Sequence, residues 1–374
     1  MEMKEIYLDD AATTRVRNEV VIAMGDYFSR EYGNPSSGHE MGEKARKAID
    51  KARILIAKEI NAKPWEIIFT SGTTESNNLV LFGLARANKN KKKIIISSIE
   101  HASIIEPCEF LREEGYEITS VPVDSGGIVD LNFLKRAIDK NTLVVSVMHV
   151  NNVIGTIQDI KEIGRICRER GVLFHTDAAQ SFGKIGIDVR KMNVDLLSAG
   201  AHKIGGPKGI GFLYLREGVK ITPLIFGGGQ ERDLRGGTEN VAGIVGFAKA
   251  VEIANKTRKE DERIRKIKDY FIDEIEKFGG IVNGSKICRT YNNVHFSLKG
   301  IDAQMLVTRL SAKGIYFSSG SACESKKEKE DHVLKAIGLS RDLARSSVRV
   351  TFNEKTARED INRVVGEIKK ALKI

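Results

Sequence analysis

Three stretches of the chain bring together an anion-binding turn, a carboxylate and an amine. Phe69-Thr70-Ser71-Gly72-Thr73-Thr74-Glu75 follows a short apolar run and reads as the opening of a helix. Free backbone N–H groups and hydroxyls at such a junction face one anion, which makes it a candidate phosphate cradle with Thr73 and Thr74 as donors. A Ser/Thr helix cap accounts for the same residues taken alone. Asp177 closes the run Val172-Leu173-Phe174-His175-Thr176. A buried carboxylate there can pair with a protonated ring nitrogen and keep that ring an electron sink; a turn aspartate is the plainer reading. Lys203, in Ala201-His202-Lys203 ahead of Gly205-Gly206-Pro207-Lys208-Gly209, follows a strand and precedes a glycine-rich turn. A lysine so placed can form a Schiff base and then carry a proton at the same carbon.

A thiol and a guanidinium complete the set. Cys323 lies among small polar residues, Ser318-Ser319-Gly320-Ser321-Ala322-Cys323-Glu324-Ser325, a composition that suits an exposed loop. The other cysteines, Cys108, Cys167 and Cys288, read as inert and buried; no two of the four form a C-x-x-C pair, so neither a disulfide framework nor a zinc site is expected. Arg349, in Ser346-Ser347-Val348-Arg349-Val350-Thr351-Phe352, can hold a carboxylate through both of its oxygens.

These residues need a scaffold, and the hydrophobic pattern supplies one. Apolar runs Ile67 to Phe69, Ile94 to Ile96, Leu143 to Val147, Val172 to Phe174 and Phe212 to Leu215 alternate with helix-like segments, including an amphipathic one from Gly38 to Ile60. That is the signature of an α/β fold built on a mostly parallel, doubly wound sheet. In such sheets ligands bind beyond the carboxyl ends of the strands. The residues there are polar: Ser71 to Asn78, His101, Asn151-Asn152, Asp177 to Gln180 and His202-Lys203. After Gly246 a long charged helix is expected through about Phe278, then short strands, then a final helix from about Ala357 capped by Thr356 and Glu359. The expected division is a large domain over 15–255 and a smaller α+β domain made of 1–14 and 256–374, the latter carrying a mobile catalytic-cysteine loop at about 318–332.

The order and context of the motifs resemble the cysteine desulfurases, in the nitrogen-fixation and iron–sulfur-cluster branch of the class V aminotransferase-like enzymes. The resemblance covers nearly the whole chain. Its marks are Tyr7 to Thr14, Tyr32 to Ser37, Phe69 to Asn78, Glu100-His101, Met148 to Gly155, His175 to Gln180, His202 to Gly209, Gly227 to Thr238 and Ser318 to Cys323. It implies fold type I, the aspartate aminotransferase-like fold of enzymes that use pyridoxal 5'-phosphate (PLP). It further implies that Lys203 holds the cofactor covalently, that His101 stacks on its ring and moves protons, and that Asp177 pairs with the ring nitrogen. Asn152 and Gln180 would bind the ring hydroxyl, and Thr74 and His202 the phosphate, helped by Thr238 from the second subunit of a homodimer. Arg349, assisted by Asn34, would bind the carboxylate of L-cysteine. Cys323 would take the sulfur as a persulfide and pass it to an acceptor such as an iron–sulfur scaffold protein or a tRNA-thiolation protein.

Two departures from the family pattern stand out. A hydroxyl residue is usual three positions before the lysine, where this chain has Gly200. Losing one hydrogen bond to a charged group costs about 1.5–3 kcal/mol, so weaker but persistent PLP binding is expected. The cysteine loop continues Glu324-Ser325-Lys326-Lys327-Glu328-Lys329-Glu330-Asp331, with four acids and three bases where the family loop usually carries a Glu-Pro-Ser. Alternatives that the residues leave open are a selenocysteine lyase, an aminotransferase, or a sulfur-relay scaffold with little turnover.

The formal charge of +10 comes from interleaved acids and bases rather than a basic stripe with stacked aromatics, so nucleic acid is not an expected partner. Nowhere do eighteen uncharged apolar residues run together, and the first residues do not read as a signal peptide, so a cytoplasmic location and no membrane association are expected.

Overall fold

The computed structural model describes residues 4–257, 261–320 and 331–373. A short strand β1 (Ile6–Tyr7) precedes the main sheet, whose strands are β2 (Ile67–Thr70), β3 (Lys93–Ser97), β4 (Glu117–Val121), β5 (Thr142–Ser146), β6 (Leu173–Asp177), β7 (Leu196–Gly200) and β8 (Gly211–Leu215). Their order across the sheet is β2-β8-β7-β6-β5-β3-β4. Only β8 runs against the others, pairing antiparallel with both β2 and β7. The carboxyl ends of β2, β3, β5, β6 and β7 therefore share one edge.

Adjacent residues of each strand serve opposite faces, as a two-residue period requires. Phe69, Ile95, Val145, Leu197 and Phe212 enter one apolar core, which the helices Glu40–Glu59, Ile160–Glu169 and Val241–Thr257 cover with Ile49, Ile56, Ile163, Ile244 and Phe247. Ile68, Ile94, Ile96, Val144, Leu196 and Leu213 enter a second core on the other face, under the helices Thr73–Ala87 and Ala102–Glu113. Coverage of both faces is why these strands read as unbroken apolar runs.

A separate core forms around an antiparallel sheet of order β12-β13-β10-β9, made from β9 (Ile281–Val282), β10 (Asn293–Ser297), β12 (Ser318–Ser319) and β13 (Ser347–Thr351); β11 (Ile315–Tyr316) pairs in parallel with β1. Phe271 packs edge-on against Phe296 and Phe352, each at 5.7 Å between ring centres. Ile6 and Leu8 join this core from the start of the chain. The following residues then run to the main sheet, where Thr14 N–H donates to the carbonyl of His202 at 2.9 Å.

Three details differ from the sequence reading. Where one long charged helix was expected after Gly246, the described residues hold two helical spans, Val241–Thr257 and Asp261–Lys277, the first packed on the main sheet and the second in the smaller core. The last helix, Arg358–Leu372, is capped one residue later than expected. The Asp360 carboxylate accepts the Ala357 N–H at 3.0 Å, while Thr356 Oγ1 accepts from Asn353 in the preceding turn. Cys108 and Cys167 are buried, but Cys288 is exposed because it lies in the connection between β9 and β10.

A strained turn is held by a buried ion pair. Glu231, Arg232 and Asp233 all have left-handed backbone, with φ of 46°, 57° and 62°. Against that cost, the Glu231 carboxylate accepts both Arg53 nitrogens at 2.7 and 2.8 Å and the Phe69 N–H at 2.8 Å, with both charged side chains largely removed from water. Glu231→Ala leaves Arg53 buried and uncompensated, so it is expected to lower stability by about 3–5 kcal/mol in urea unfolding. A loss below about 1 kcal/mol, the range of exposed pairs, would show that the pair contributes little.

Candidate active site

Each expected functional residue at the sheet edge is placed by the end of a strand. Lys203 follows β7, and its amine donates to the carbonyls of Ala11 and Ala12, the latter at 2.7 Å. Gln180, just after β6, donates from Nε2 to the same Ala11 carbonyl at 2.9 Å. His202 Nδ1 lies 3.2 Å from Thr13 Oγ1. The segment Ala11–Thr14 thus runs as a strap past Lys203, Gln180 and His202. Burial, reinforced by Lys203, Lys208 and Lys184, pushes His202 down to about 4, so its ring is neutral at pH 7.

Asp177, the last residue of β6, is buried. Its Oδ1 accepts the Ala179 N–H and its Oδ2 accepts Asn77 Nδ2, both at 2.8 Å. The second Asn77 Nδ2 hydrogen goes to Ser103 Oγ at 2.8 Å, which in turn lies 2.9 Å from His101 Nδ1. One buried amide therefore ties the Asp177 carboxylate to the His101 imidazole. With the amide turned round, its oxygen would face the carboxylate, so donation from Nδ2 is the satisfiable arrangement.

His101 caps the helix Ala102–Glu113, and its Nδ1 accepts the Ser103 N–H at 3.1 Å. Burial holds the imidazole below its ordinary range, with Lys203 and His332 adding to the shift and Asp177 opposing it. The ring is then neutral at pH 7, with Nδ1 as acceptor and the proton on Nε2. The preceding residue, Glu100, is fully buried. It accepts the Met148 N–H at 2.8 Å and bonds to Ser97 Oγ. Burial pushes its carboxyl up to about 8, which keeps it protonated at neutral pH.

Arg349, on β13, is almost wholly buried. Nη1 donates to the Asn152 carbonyl at 3.0 Å, and Nη2 donates to Asp9 Oδ1 at 2.9 Å and Ser318 Oγ at 3.3 Å. Its Nε is buried without a partner among the described residues. Asn152 meets Arg349 through its backbone rather than its side chain.

Other candidates stand apart from this cluster. Asn34 is exposed, and its Oδ1 accepts the Ser36 N–H at 2.9 Å in a local turn; no hydrogen bond to Arg349 is made. Thr74 is exposed at the start of the helix Thr73–Ala87, with its carbonyl accepting from Asn78. Thr238 is exposed and lines a cavity of about 270 Å³ with Ser71 and Gly209. Cys323 lies outside the described residues. The sequence reading assigned no role to Asn77, Ser103 or Asp9; Asn77 and Asp9 fall inside motifs it quoted, but their roles depend on side-chain direction, which spacing does not reveal.

The donor set suits a phosphorylated, ring-nitrogen cofactor. An amine, a buried carboxylate and a neutral imidazole share one edge with a helix N-terminus, where Thr73 Oγ1 is buried without a partner among the described residues. A family profile described as aminotransferase class-V matches residues 6–364. The chain belongs to the aminotransferase class-V family. Within this class-V family, it is 48% identical to the cysteine desulfurase IscS of Dictyoglomus turgidum over 96% of this chain and 92% of that protein. Among solved structures, a NifS-like protein superposes with a TM-score of 0.94 at 37% identity, over 99% of this chain and all of that one. A structure described as SspA in complex with cysteine gives a TM-score of 0.83 at 38% identity, over 95% of this chain and all of that one. The class-V fold here is accordingly that of the fold type I PLP enzymes.

Proposed function

We propose that this chain is a PLP-dependent cysteine desulfurase that converts L-cysteine to L-alanine and takes the sulfur as a persulfide on Cys323. The observation that carries the reading is the convergence of Lys203, Asp177 and His101 on one sheet edge in a chain nearly half identical to a cysteine desulfurase. Lys203 would hold PLP covalently, with Asp177 against the ring nitrogen, His101 over the ring, Gln180 and Asn152 near the ring hydroxyl, and Thr73, Thr74 and His202 about the phosphate. When bound, PLP supplies an electron sink in conjugation with the substrate α-carbon.

The protein's own groups do the rest. Arg349 binds the substrate carboxylate, and Asp9, by holding Nη2, fixes the guanidinium plane so that Nε is presented. The Lys203 amine, released when substrate takes its place, receives the α-proton; fixed orientation relative to that carbon is the main source of rate. His101, neutral with its proton on Nε2, exchanges a proton at the face it covers. The Cys323 thiolate then forms an S–S bond with the substrate sulfur as the substrate C–S bond breaks. The electron pair stays with the carbon fragment, which takes up protons and leaves as alanine. The step is redox-neutral overall.

Two coarser expectations extend the reading. The division at about 255 is supported by the separate cores on either side of it. A homodimer is supported by Val21, Ile22, Phe28 and Tyr32, exposed apolar side chains on and just after the helix Asn18–Ser29, and by exposed Phe226 near Thr238. No helix among the described residues is long and apolar enough to cross a membrane. The sulfur acceptor is proposed to be an iron–sulfur scaffold protein.

The deciding experiment is to incubate PLP-loaded protein with L-cysteine in D2O and follow alanine, sulfide and α-hydrogen exchange together. The intact protein should form alanine and sulfide in step when a thiol reductant is present. Cys323→Ala is expected to retain α-hydrogen exchange while alanine formation falls by roughly 10²-fold or more, since the nucleophile and not the deprotonation is lost. Full alanine formation by that variant would refute the role given to Cys323.

A further inference from the structure

We infer that His332, the first residue of the helix that follows the segment carrying Cys323, is a positioning residue for His101. The inference rests on the role given to His101 above and names a group that keeps its imidazole in place. His101 belongs to no strand: it caps the helix Ala102–Glu113 at the end of a turn that leaves β3 after Ser97. The carbonyls of such a turn lie outside the sheet ladder, and when buried they need other partners. Ile99 and Glu100 are both fully buried, and two side chains serve them. Asn151 Nδ2 donates to the Ile99 carbonyl at 2.9 Å, and His332 Nε2 lies 2.8 Å from the Glu100 carbonyl. A carbonyl only accepts, so in this bond the His332 proton sits on Nε2.

The two bonds differ in origin. Asn151 follows β5 of the same sheet, whereas His332 reaches the turn from 232 positions further along the chain. Its placement is set by how the short helix His332–Ala336 sits. Asp331 caps that helix, its Oδ1 accepting the Val333 N–H at 2.9 Å and the Leu334 N–H at 3.3 Å. Val333, Leu334 and Ile337 are buried in one apolar cluster with Ile99, Met148, Val153 and Ile154. The helix thus rests on the turn itself and on the segment after β5 that braces it, where the Met148 N–H donates to the Glu100 carboxyl group. His332 closes this contact with one directed bond, made at the residue next to His101.

Two holds therefore act on His101. The Ser103 N–H fixes the ring at Nδ1, and His332 fixes the Glu100 peptide from which the residue springs. Among the described residues no other hydrogen bond is made to the Glu100 carbonyl, so losing His332 leaves a buried acceptor bare. Neither Lys203, held by Ala11 and Ala12, nor Arg349, held by Asp9, Asn152 and Ser318, depends on this bond. The consequence belongs to the proton exchanged at the face that His101 covers, and not to α-proton removal or carboxylate binding.

The test follows full-length, PLP-loaded protein with L-cysteine in D2O and, separately, the His101 imidazole by NMR of protein labelled at its histidines, the resonance being identified by its loss in His101→Gln. His332→Ala is expected to lower alanine formation roughly 10-fold, as loss of one hydrogen bond predicts, with KM for cysteine and α-hydrogen exchange within about threefold of the intact protein. It should also shift the His101 resonance. His332→Gln, whose amide N–H can serve the same carbonyl, should bring both alanine formation and the resonance back close to those of the intact protein. In a His101→Gln background, His332→Ala should cost little more, because the two residues act in series. An unmoved His101 resonance in His332→Ala, or a full further loss in the His101→Gln background, would overturn the inference while the desulfurase reading stands. Intact protein that forms no alanine would overturn that reading, and the resonance would still decide whether His332 places His101.

Discussion

Lys203→Ala is expected to lower alanine formation from L-cysteine by roughly 10⁴-fold, the upper range for loss of one proton-transferring group, and to remove covalent cofactor attachment altogether. The effect should be this large because the same amine serves twice. On the proposed function it would be the point of attachment, and after displacement the base best placed at the substrate α-carbon. Its position depends on two backbone carbonyls, Ala11 and Ala12, which orient the ammonium without neutralising it as a carboxylate would. The imidazoles of His101 and His202 can exchange protons but cannot form the covalent bond to a cofactor aldehyde that a primary amine forms, and Lys208 is exposed in the following turn. Borohydride reduction followed by peptide mass mapping should find the cofactor mass on the peptide containing Lys203 in the intact protein and nowhere in the variant. Lys208→Ala serves as the control and should stay within a few-fold of the intact protein. Turnover above one tenth in Lys203→Ala would sink the assignment.

Much of the scaffold was legible because burial on both faces of a parallel sheet leaves a strong mark in sequence. Ile94-Ile95-Ile96 and Phe212 to Leu215 read as strands from their apolar runs alone, and in the fold their neighbouring residues divide between two cores as the two-residue period demands. Less legible was anything decided by a single residue's side chain. The cap of the last helix moved from the Thr356 and Glu359 pair to Ala357 and Asp360, since both pairs have the right spacing and only the path of the preceding turn selects between them. Cys288 was read as buried together with Cys108 and Cys167, in contrast to Cys323, yet its flanks, Ser285-Lys286-Ile287 and Arg289, lack the apolar periodicity that surrounds Cys167.

For the site, position along the chain was a good guide and partnership was not. The reading placed Asp177, His101 and Lys203 at strand ends, and there they lie. It set Arg349 and Asn34 together on a substrate carboxylate but did not foresee the partners that hold the guanidinium, which are Asp9, the Asn152 carbonyl and Ser318. The interactions are between residues 340 and 197 positions apart, set by how the start of the chain returns to β13, and no local pattern encodes that distance.

The amide of Asn77 turns the pairing of Asp177 and His101 into a second large prediction. Asp177→Asn keeps the shape of the side chain but removes its charge, and an opposite charge at a titrating group favours the charged form by roughly 1–3 pK units. Turnover should therefore fall by roughly 10- to 1,000-fold at neutral pH. The sign of the pH dependence follows: a cofactor ring nitrogen without its counter-charge holds its proton less well, so the deficit relative to the intact protein should grow as pH rises and shrink as it falls. Asn77→Ala removes a hydrogen bond to the same carboxylate and also frees Ser103, the hydroxyl beside His101 Nδ1. A loss of roughly 10-fold is expected from a bond to a charged group of about 1.5 kcal/mol. Because both changes act on one network, the double variant should lose less than the product of the two separate losses. Steady-state rates between pH 6 and 9 for the three variants would decide the matter. Parallel profiles with no widening at high pH would mean that Asp177 acts by packing rather than by charge, and independent, multiplicative losses would mean that Asn77 serves His101 without reaching the carboxylate.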